Sequence, residues 1–172
     1  MKTKILTERL NLREFEVGDE QLLFDLNADW DVVKYTGNPV MKDLQEARQV
    51  LKEIIMPQYA AGLGRWAVHL KSDNTFIGWC GLKKLDSDID LGYRFLKKFW
   101  GNGYASESAR AVLQYGFETL ALNRIIAHAA VENTVSIRVL EKLNLHKTGV
   151  GEMDGILVQG FALTRNEWEG GR

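Results

Sequence analysis

Residues 95–107 read Phe95-Leu96-Lys97-Lys98-Phe99-Trp100-Gly101-Asn102-Gly103-Tyr104-Ala105-Ser106-Glu107. Before this run, apolar residues alternate along the chain, which predicts a β-strand, and after it they recur at helical spacing. Backbone N–H groups in the first turn of a helix have no partner within the helix, and glycines let a phosphate approach them closely. The run therefore predicts an anion-binding junction between a strand and a helix.

Length, charge and cysteine content narrow the class of protein. The chain has 172 residues, enough for one well-buried domain, so we expect a single domain over residues 1–172. Its 22 Lys and Arg residues nearly balance 23 Asp and Glu residues, which predicts neither a nucleic-acid nor a membrane partner. A single cysteine excludes an internal disulfide framework, and residues 1–8 lack the apolar core of a signal peptide. We expect a cytoplasmic protein.

Periodicity and turn residues predict the element order β-α-α-β-β-β-α-β-α-β-β, an α/β protein of the α+β type with a largely antiparallel sheet. A doubly wound parallel sheet would need regular alternation of strands and helices from the start. The predicted strands are Leu10–Arg13, Arg65–Leu70, Thr75–Leu82, Asp88–Phe95, Arg124–Val131, His146–Glu152 and Ile156–Thr164. The predicted helices are Asp19–Asn27, Lys42–Ala60, one that follows Gly103, and one from Asn133 to Lys142.

Two common phosphate-binding motifs do not fit the glycine junction. The dinucleotide fingerprint G-x-G-x-x-G requires a third glycine where this chain has Ser106. A P-loop requires G-x-x-x-x-G-K-S/T, which the sequence does not contain. Nucleotide hydrolysis is therefore not indicated.

The run from Lys98 to Gly103 fits the pattern Q/R/K-x-x-G-x-G/A between a strand and a long helix. In this pattern the chain resembles the general N-acetyltransferase (GNAT) superfamily. The longer run through Glu107 is similar to its ribosomal-protein alanine N-acetyltransferase branch. Further matches in order and spacing cover nearly the whole chain: Glu8–Arg13, Asp90–Tyr93, Asn133–Ser136, Glu141–Leu143 and Leu163–Trp168.

The resemblance implies a mixed GNAT-like sheet with helices on both faces, acetyl-CoA as co-substrate and no metal. In that family the strand before the glycine loop splays from its neighbour, and the pantetheine arm pairs with its free edge. The thioester would lie between the strand ending near Phe95 and the strand beginning near Arg124. The residues that the resemblance assigns to the cofactor are Phe95, Leu96, Lys98, Trp100, Gly101, Asn102, Gly103, Tyr104, Ala105 and Asn133.

Acetyl transfer to an amine requires a base for the amine and a proton donor for the thiolate. Many members use a tyrosine in the late helix as donor, and the alignment places Leu140 there. In the ribosomal-protein branch a hydroxyl in Asn-x-x-Ser is the candidate donor, which is Ser136 here, although Ser136 also suits the first turn of a helix. Asn133 likewise suits a helix N-cap. Asp90 matches the family's acidic residue and is the candidate base acting through water; a surface carboxylate is the alternative.

Metal ligation and acceptor recognition are less clearly indicated. His69, His128 and His146 have no sequence partner at metal spacing, and the acidic run ending at Asp90 lacks the glycine of a calcium loop. We expect acceptor specificity in Ala28–Val40, between the first two helices, and in the Met153–Gly155 hairpin tip, where aromatic side chains could wall a cleft and carboxylates could attract a cationic amine. The residues considered for it are Trp30, Tyr35, Trp66, Asp29, Asp31 and Asp154.

Two functions follow from these features. The first is an N-acetyltransferase that moves an acetyl group from acetyl-CoA to a primary amine by direct attack in a ternary complex. The acceptor would be a protein N-terminus, a polyamine or another small amine, and the enzyme a monomer or homodimer. The second is a non-catalytic acyl-CoA sensor, which Leu140 at the tyrosine position keeps open.

Overall fold

The computed structural model describes residues 4–171; residues 1–3 and 172, at the ends of the predicted domain, lie outside it. The strands are β1 Lys4–Leu6, β2 Leu10–Glu14, β3 Gly64–Leu70, β4 Phe76–Leu85, β5 Asp88–Phe95, β6 Arg124–Ala130, β7 His146–Met153 and β8 Ile156–Thr164. The α-helices are α1 Glu20–Asn27, α2 Trp30–Val33, α3 Leu44–Val50, α4 Tyr104–Gln114, α5 Thr134–Lys142 and α6 Arg165–Gly170.

One mixed sheet runs through the molecule in the order β1-β2-β3-β4-β5-β6-β8-β7. Strands β3, β4 and β5 form an antiparallel meander, and β7 and β8 form the closing hairpin. Within the described residues, β5 and β6 pair in parallel and the other neighbouring strands pair antiparallel. The predicted sheet class and the predicted strand order along the chain are confirmed.

Helices cover both faces of the sheet, because strand side chains alternate between two cores. One core packs Leu91 and Phe95 of β5 against α4 and α5. The opposite core packs Trp79 of β4 against α1, α2 and α3. Odd-numbered residues of β5 therefore face α4 and α5, and its even-numbered residues face the first three helices.

The second predicted helix, Lys42–Ala60, has three local geometries. Helix α3 continues as a π-helical turn over Leu51–Ile55 and then as a 3₁₀ helix over Met56–Ala61. Pro57 lies at the start of the 3₁₀ segment and has no N–H to donate to the preceding π-helical turn, so the hydrogen-bond pattern of that turn ends there.

Three short elements were not predicted: β1, α2 and α6. Each contains too few residues to show a period. Helix α2 is fixed by its cap, since the Asp29 side chain accepts from the Asp31 N–H at 2.9 Å. Helix α6 begins with a capping box between Thr164 and Glu167.

Candidate active site

Strands β5 and β6 separate towards the C-terminal end of β5. Their pairing is confined, within residues 4–171, to Asp90 opposite Ile126 and Leu91 opposite Ala127. Beyond Leu91 the backbone of β5 has no partner strand on this side. An unpaired strand edge offers N–H and C=O groups to an extended, amide-bearing ligand.

The glycine loop connects the end of β5 to helix α4. Gly101 and Gly103 have φ values of 78° and 81°, in the left-handed region that favours glycine. Gly103 is the N-cap of α4, so no side chain there accepts from the first-turn amides. A Cβ at Gly101 would meet no atom within 4 Å, which leaves the approach to the loop open. These features fit the predicted anion site at the N-terminus of α4.

Arg9, directly before β2, forms hydrogen bonds with both the glycine loop and helix α4. Its Nε lies 2.6 Å from Glu107 Oε2, and its Nη1 donates to the Asn102 carbonyl at 3.1 Å. The guanidinium also lies over the Tyr104 ring, 4.6 Å from its centroid. Arg9 and Glu107 belong to two of the motifs that suggested the family, and the structure brings them into contact.

A cavity of about 760 Å³ extends from the glycine loop into the opening between β5 and β6. Most of the predicted cofactor residues and both predicted catalytic residues line it. They are Phe95, Trp100, Gly101, Gly103, Tyr104, Ala105, Asn133, Asp90 and Ser136.

The remaining predicted cofactor residues, Leu96, Lys98 and Asn102, lie outside that lining. The Leu96 amide already donates to the Ile77 carbonyl at 2.9 Å, so it is used within the sheet. Lys98 is exposed, with its Nζ 5.1 Å from the Phe99 ring centroid. The Asn102 side chain donates to the Phe99 carbonyl at 3.0 Å and thereby shapes the loop.

Ser136 and Tyr93 form a pair of hydroxyls at the cavity. Their oxygens lie 2.9 Å apart, and Asn133 caps α5 by accepting from the Ser136 N–H at 3.1 Å. Burial raises the pKa of Tyr93 above its usual value, so its hydroxyl stays protonated at neutral pH. Leu140, which stands where the family resemblance leads one to expect a tyrosine, is buried in the core under α5.

Asp90 and His128 form a second pair on the other face of the sheet. Asp90 Oδ1 lies 2.9 Å from His128 Nδ1, and both residues line the cavity. Sequence reasoning treated His128 as an isolated strand residue and missed this contact. Alternation placed His128 on a face of β6, but only the parallel pairing of β5 and β6 shows that this face meets Asp90.

The predicted acceptor residues occupy different environments. Trp66 is 1% exposed and packs edge-on against Tyr115, so it belongs to the core and not to a cleft wall. Trp30 is mostly exposed. Asp31 pairs with Lys34 at 3.0 Å and with Lys97 at 2.5 Å, so its charge is already balanced. Of the residues considered, Tyr35 and Asp154 line the cavity.

The predictions about metal ions and membranes concern the chain as a whole. Residues 4–171 contain no group of three or more His, Cys, Asp or Glu side chains arranged to hold a metal ion. The same part of the chain contains no helix that is long and apolar enough to cross a membrane.

Comparisons with known proteins agree with this geometry. The family model described as "Acetyltransferase (GNAT) domain" matches residues 9–146. The chain is 34% identical over 149 residues to "Uncharacterized N-acetyltransferase p20" of Bacillus licheniformis, covering 85% of this chain and 84% of the relative. It is 32% identical over 190 residues to "Putative ribosomal N-acetyltransferase YdaF" of Bacillus subtilis, covering 99% of each.

A solved structure shows the same architecture. The GNAT-family acetyltransferase from Bacillus anthracis has 29% sequence identity and superimposes with a TM-score of 0.85, covering 96% of this chain and 100% of that one. The glycine loop, the opening in the sheet and these matches agree in identifying the family. The chain belongs to the GNAT family and is an acyltransferase that depends on acetyl-CoA.

Proposed function

We propose that this protein acetylates a primary amine by direct attack of the amine on acetyl-CoA in a ternary complex. The observation that carries the proposal is the opening between β5 and β6. It joins the Gly101–Gly103 loop to two hydrogen-bonded pairs of proton-transferring side chains within one cavity. The amine nitrogen bonds to the acetyl carbon, the carbon–sulfur bond breaks, and no enzyme-bound acyl group forms.

The glycine loop and the β5 edge would hold the cofactor. The pyrophosphate would lie at the N-terminus of α4, where first-turn amides and the helix dipole favour negative charge. The pantetheine amides would pair with the open backbone edge that follows Leu91. Asn133 borders the same cavity and already accepts from Ser136, so its amide N–H₂ is the group it would offer to the arm.

Proton transfer would occur from opposite faces of the sheet. An acceptor α-amine has a pKa of about 8 and a lysine-type amine about 10.4, so the amine must lose a proton before it attacks. We assign that step to His128, oriented by Asp90. The departing thiolate would take a proton from Ser136, whose hydroxyl is held by Tyr93 on the side of α4 and α5.

The test is thiol release from acetyl-CoA measured with a panel of amines, together with calorimetric titration of acetyl-CoA. Gly103→Asp should raise the Kd for acetyl-CoA about tenfold or more, because it places negative charge and a strained side chain at the N-terminus of α4. Gly18→Asp is the matched control: Gly18 also has a positive φ, at 109°, and lies outside the cavity.

Ser136→Ala should lower kcat while leaving the Kd for acetyl-CoA within about twofold, because the hydroxyl acts on the leaving thiolate. An unchanged Kd in Gly103→Asp would refute the loop assignment. Acetyl-CoA binding without turnover on any amine would refute the proposed acetylation of amines and favour the acyl-CoA sensor.

A further inference from the structure

Two arginines flank Trp79 on the face of the sheet that carries α1, α2 and α3. Arg65 lies on β3 and Arg94 on β5, with guanidinium carbons 4.9 and 5.6 Å from the Trp79 ring centroid. Trp79 pairs with Arg94 in the β4–β5 register, and Arg65 pairs with Gly81 in the β3–β4 register. The three side chains therefore form one cation–aromatic–cation cluster, and all of them line the cavity.

Neither guanidinium has a carboxylate partner among the described residues. Arg94 donates to the neutral amide oxygen of Asn27. Within residues 4–171 the guanidinium of Arg65 has no hydrogen-bond acceptor or ion-pair partner, and its Nε is buried. Desolvation lowers the pKa of Arg94 to about 10 and lowers that of Arg65, yet both remain charged at neutral pH. Desolvated, unpaired charges are costly to a fold.

Four other arginines of the chain do have a carboxylate partner. Arg9, Arg13, Arg48 and Arg124 each pair with a carboxylate at 3.0 Å or less. The carboxylates that share the cavity with Arg65 and Arg94 are Asp90, Glu132 and Asp154. Within the described part of the chain none of these three forms an ion pair with either arginine, and Asp90 is bound to His128.

The cluster lies beside the proposed transfer centre and apart from the glycine loop. Even-numbered residues of β5 share a face, so Arg94 and Asp90 lie on the same side of the strand. Arg65 lies on β3, two strands away from β5, whereas the pyrophosphate loop follows the end of β5. An anion bound by Arg65 would therefore belong to the acceptor and not to the phosphates of acetyl-CoA.

We propose that Arg65 and Arg94 form an anion subsite for the acetyl acceptor, which is then an amine that itself carries a carboxylate or phosphate, such as an amino acid or a phosphorylated amine. This inference rests on the proposed function and narrows its acceptor class. Guanidinium groups bind carboxylates and phosphates through paired N–H donors, and the unused Arg65 donors supply them here. The subsite would act together with the expected attraction of the cationic amine by carboxylates such as Asp154, which also lines the cavity.

Matched amine pairs test the inference. Each pair has the same carbon skeleton with and without the anion: free amino acids against their amides, and phosphoethanolamine against ethanolamine. We expect the anionic member of at least one class to have a kcat/KM about tenfold or more above its neutral partner, as charge-assisted hydrogen bonds produce. A preference within the amino acid pairs would identify the bound anion as a carboxylate, and a preference within the ethanolamine pair would identify it as a phosphate.

Arg65→Gln should abolish most of that preference while the KM for acetyl-CoA stays within about twofold of the wild-type value. Arg110→Gln removes the same charge from the exposed side of α4, outside the cavity, and is the control. A rise in the KM for acetyl-CoA with Arg65→Gln would assign this arginine to the cofactor and overturn the subsite. Equal kcat/KM values for the anionic and the neutral member of every pair would also overturn the subsite.

Product binding provides a readout that does not need turnover. With CoA at saturation, calorimetry compares N-acetylated amino acids with their amides, and O-phospho-N-acetylethanolamine with N-acetylethanolamine. The anionic compounds of one class should bind about tenfold more tightly, and Arg65→Gln should remove the difference. Equal binding of every pair overturns the subsite even if amines are acetylated. Selective binding without any turnover supports the subsite while refuting the proposed function.

Discussion

The imidazole of His128 is oriented by a single hydrogen bond. An ionised carboxylate only accepts, so the contact with Asp90 at 2.9 Å places the hydrogen on Nδ1 and leaves the Nε2 lone pair available. In the proposed mechanism Asp90 would be a positioning residue for His128, a role different from the water-mediated base suggested by its position in the motif.

We expect His128→Gln to lower kcat at pH 7 by about 10²-fold, within the range of general base catalysis. The deficit should shrink as the pH approaches the pKa of the amine, because solvent then removes the proton. Asp90→Asn should lower kcat less than His128→Gln does, since the amide oxygen can still accept from Nδ1–H. This smaller deficit in kcat should shrink with rising pH in the same way. The measurement is kcat against pH for an accepted amine.

His146→Gln is the control, because His146 is exposed and pairs with Glu167 at 3.2 Å. It should follow the wild-type pH profile. If the His128→Gln profile runs parallel to the wild-type profile at every pH, His128 is not the base.

Among the elements, β5 organises the site because its two faces carry side chains that contact different parts of the cavity. Its odd positions present Tyr93 towards Ser136 on α5, and its even positions present Asp90 and Arg94 towards the face that carries α1 to α3. Its C-terminal half has no partner in β6 and leads directly into the glycine loop. One strand would thus set the relative positions of the proposed cofactor edge, proton donor and base.

The contact between Arg9 and helix α4 gives a prediction at this scale. Arg9→Gln removes the ion pair with Glu107 and weakens the hold on the Asn102 carbonyl. Because the loop amides then lose a fixed orientation, we expect the Kd for acetyl-CoA to rise about three- to tenfold, equivalent to about 1 kcal/mol. Calorimetry with acetyl-CoA provides the measurement.

The same substitution should lower the free energy of unfolding by at most about 1 kcal/mol, as exposed ion pairs usually do. Arg48→Gln breaks the exposed pair with Glu20 far from the loop and should leave the Kd unchanged. If Arg9→Gln and Arg48→Gln changed the Kd for acetyl-CoA equally, the loss of positive charge alone would explain the effect. The contacts of Arg9 with Glu107 and the Asn102 carbonyl would then not control cofactor binding.

At the scale of the whole molecule, the sheet separates two cores and buries a histidine between strands. His69 of β3 is 4% exposed, its Nδ1 lies 3.0 Å from the Asn74 carbonyl, and its Nε2 is buried without a partner. Desolvation is the main cause that lowers its pKa, and the positive charge of Arg13 adds to it. The folded protein therefore favours neutral His69.

The sign of the pH effect follows from this lowered pKa. The unfolded chain binds the proton first, so the contribution of neutral His69 to stability is complete above about pH 6.5 and is lost as the pH falls through the folded pKa. We expect His69→Gln to show a shallower loss of unfolding free energy between pH 7.5 and 5 in urea titrations than the wild type. His146→Gln should keep the wild-type slope; identical slopes for all three proteins would contradict the prediction.

The sequence alone determined the features that depend on residues close to one another along the chain. Alternation and turns located each strand that has enough residues to show a period, and the glycine run located the start of α4. The short elements escaped prediction because they contain too few residues to show a period. The π and 3₁₀ turns after α3 escaped it because periodicity does not report which hydrogen-bond pattern a helix has. The motifs containing Arg9, Asp90 and Ser136 pointed to the correct family.

The tertiary structure decided what those residues meet. Asp90 and His128 are 38 positions apart, and Tyr93 and Ser136 are 43 apart. Their contacts depend on which strands are neighbours and in which register, and periodicity carries no information on either. The unpaired charge of Arg65 beside Trp79 is likewise visible only after β3, β4 and β5 pair. The chain's local pattern therefore specified an acetyl-CoA enzyme, while strand order and pairing assembled its proposed base, proton donor and acceptor subsite.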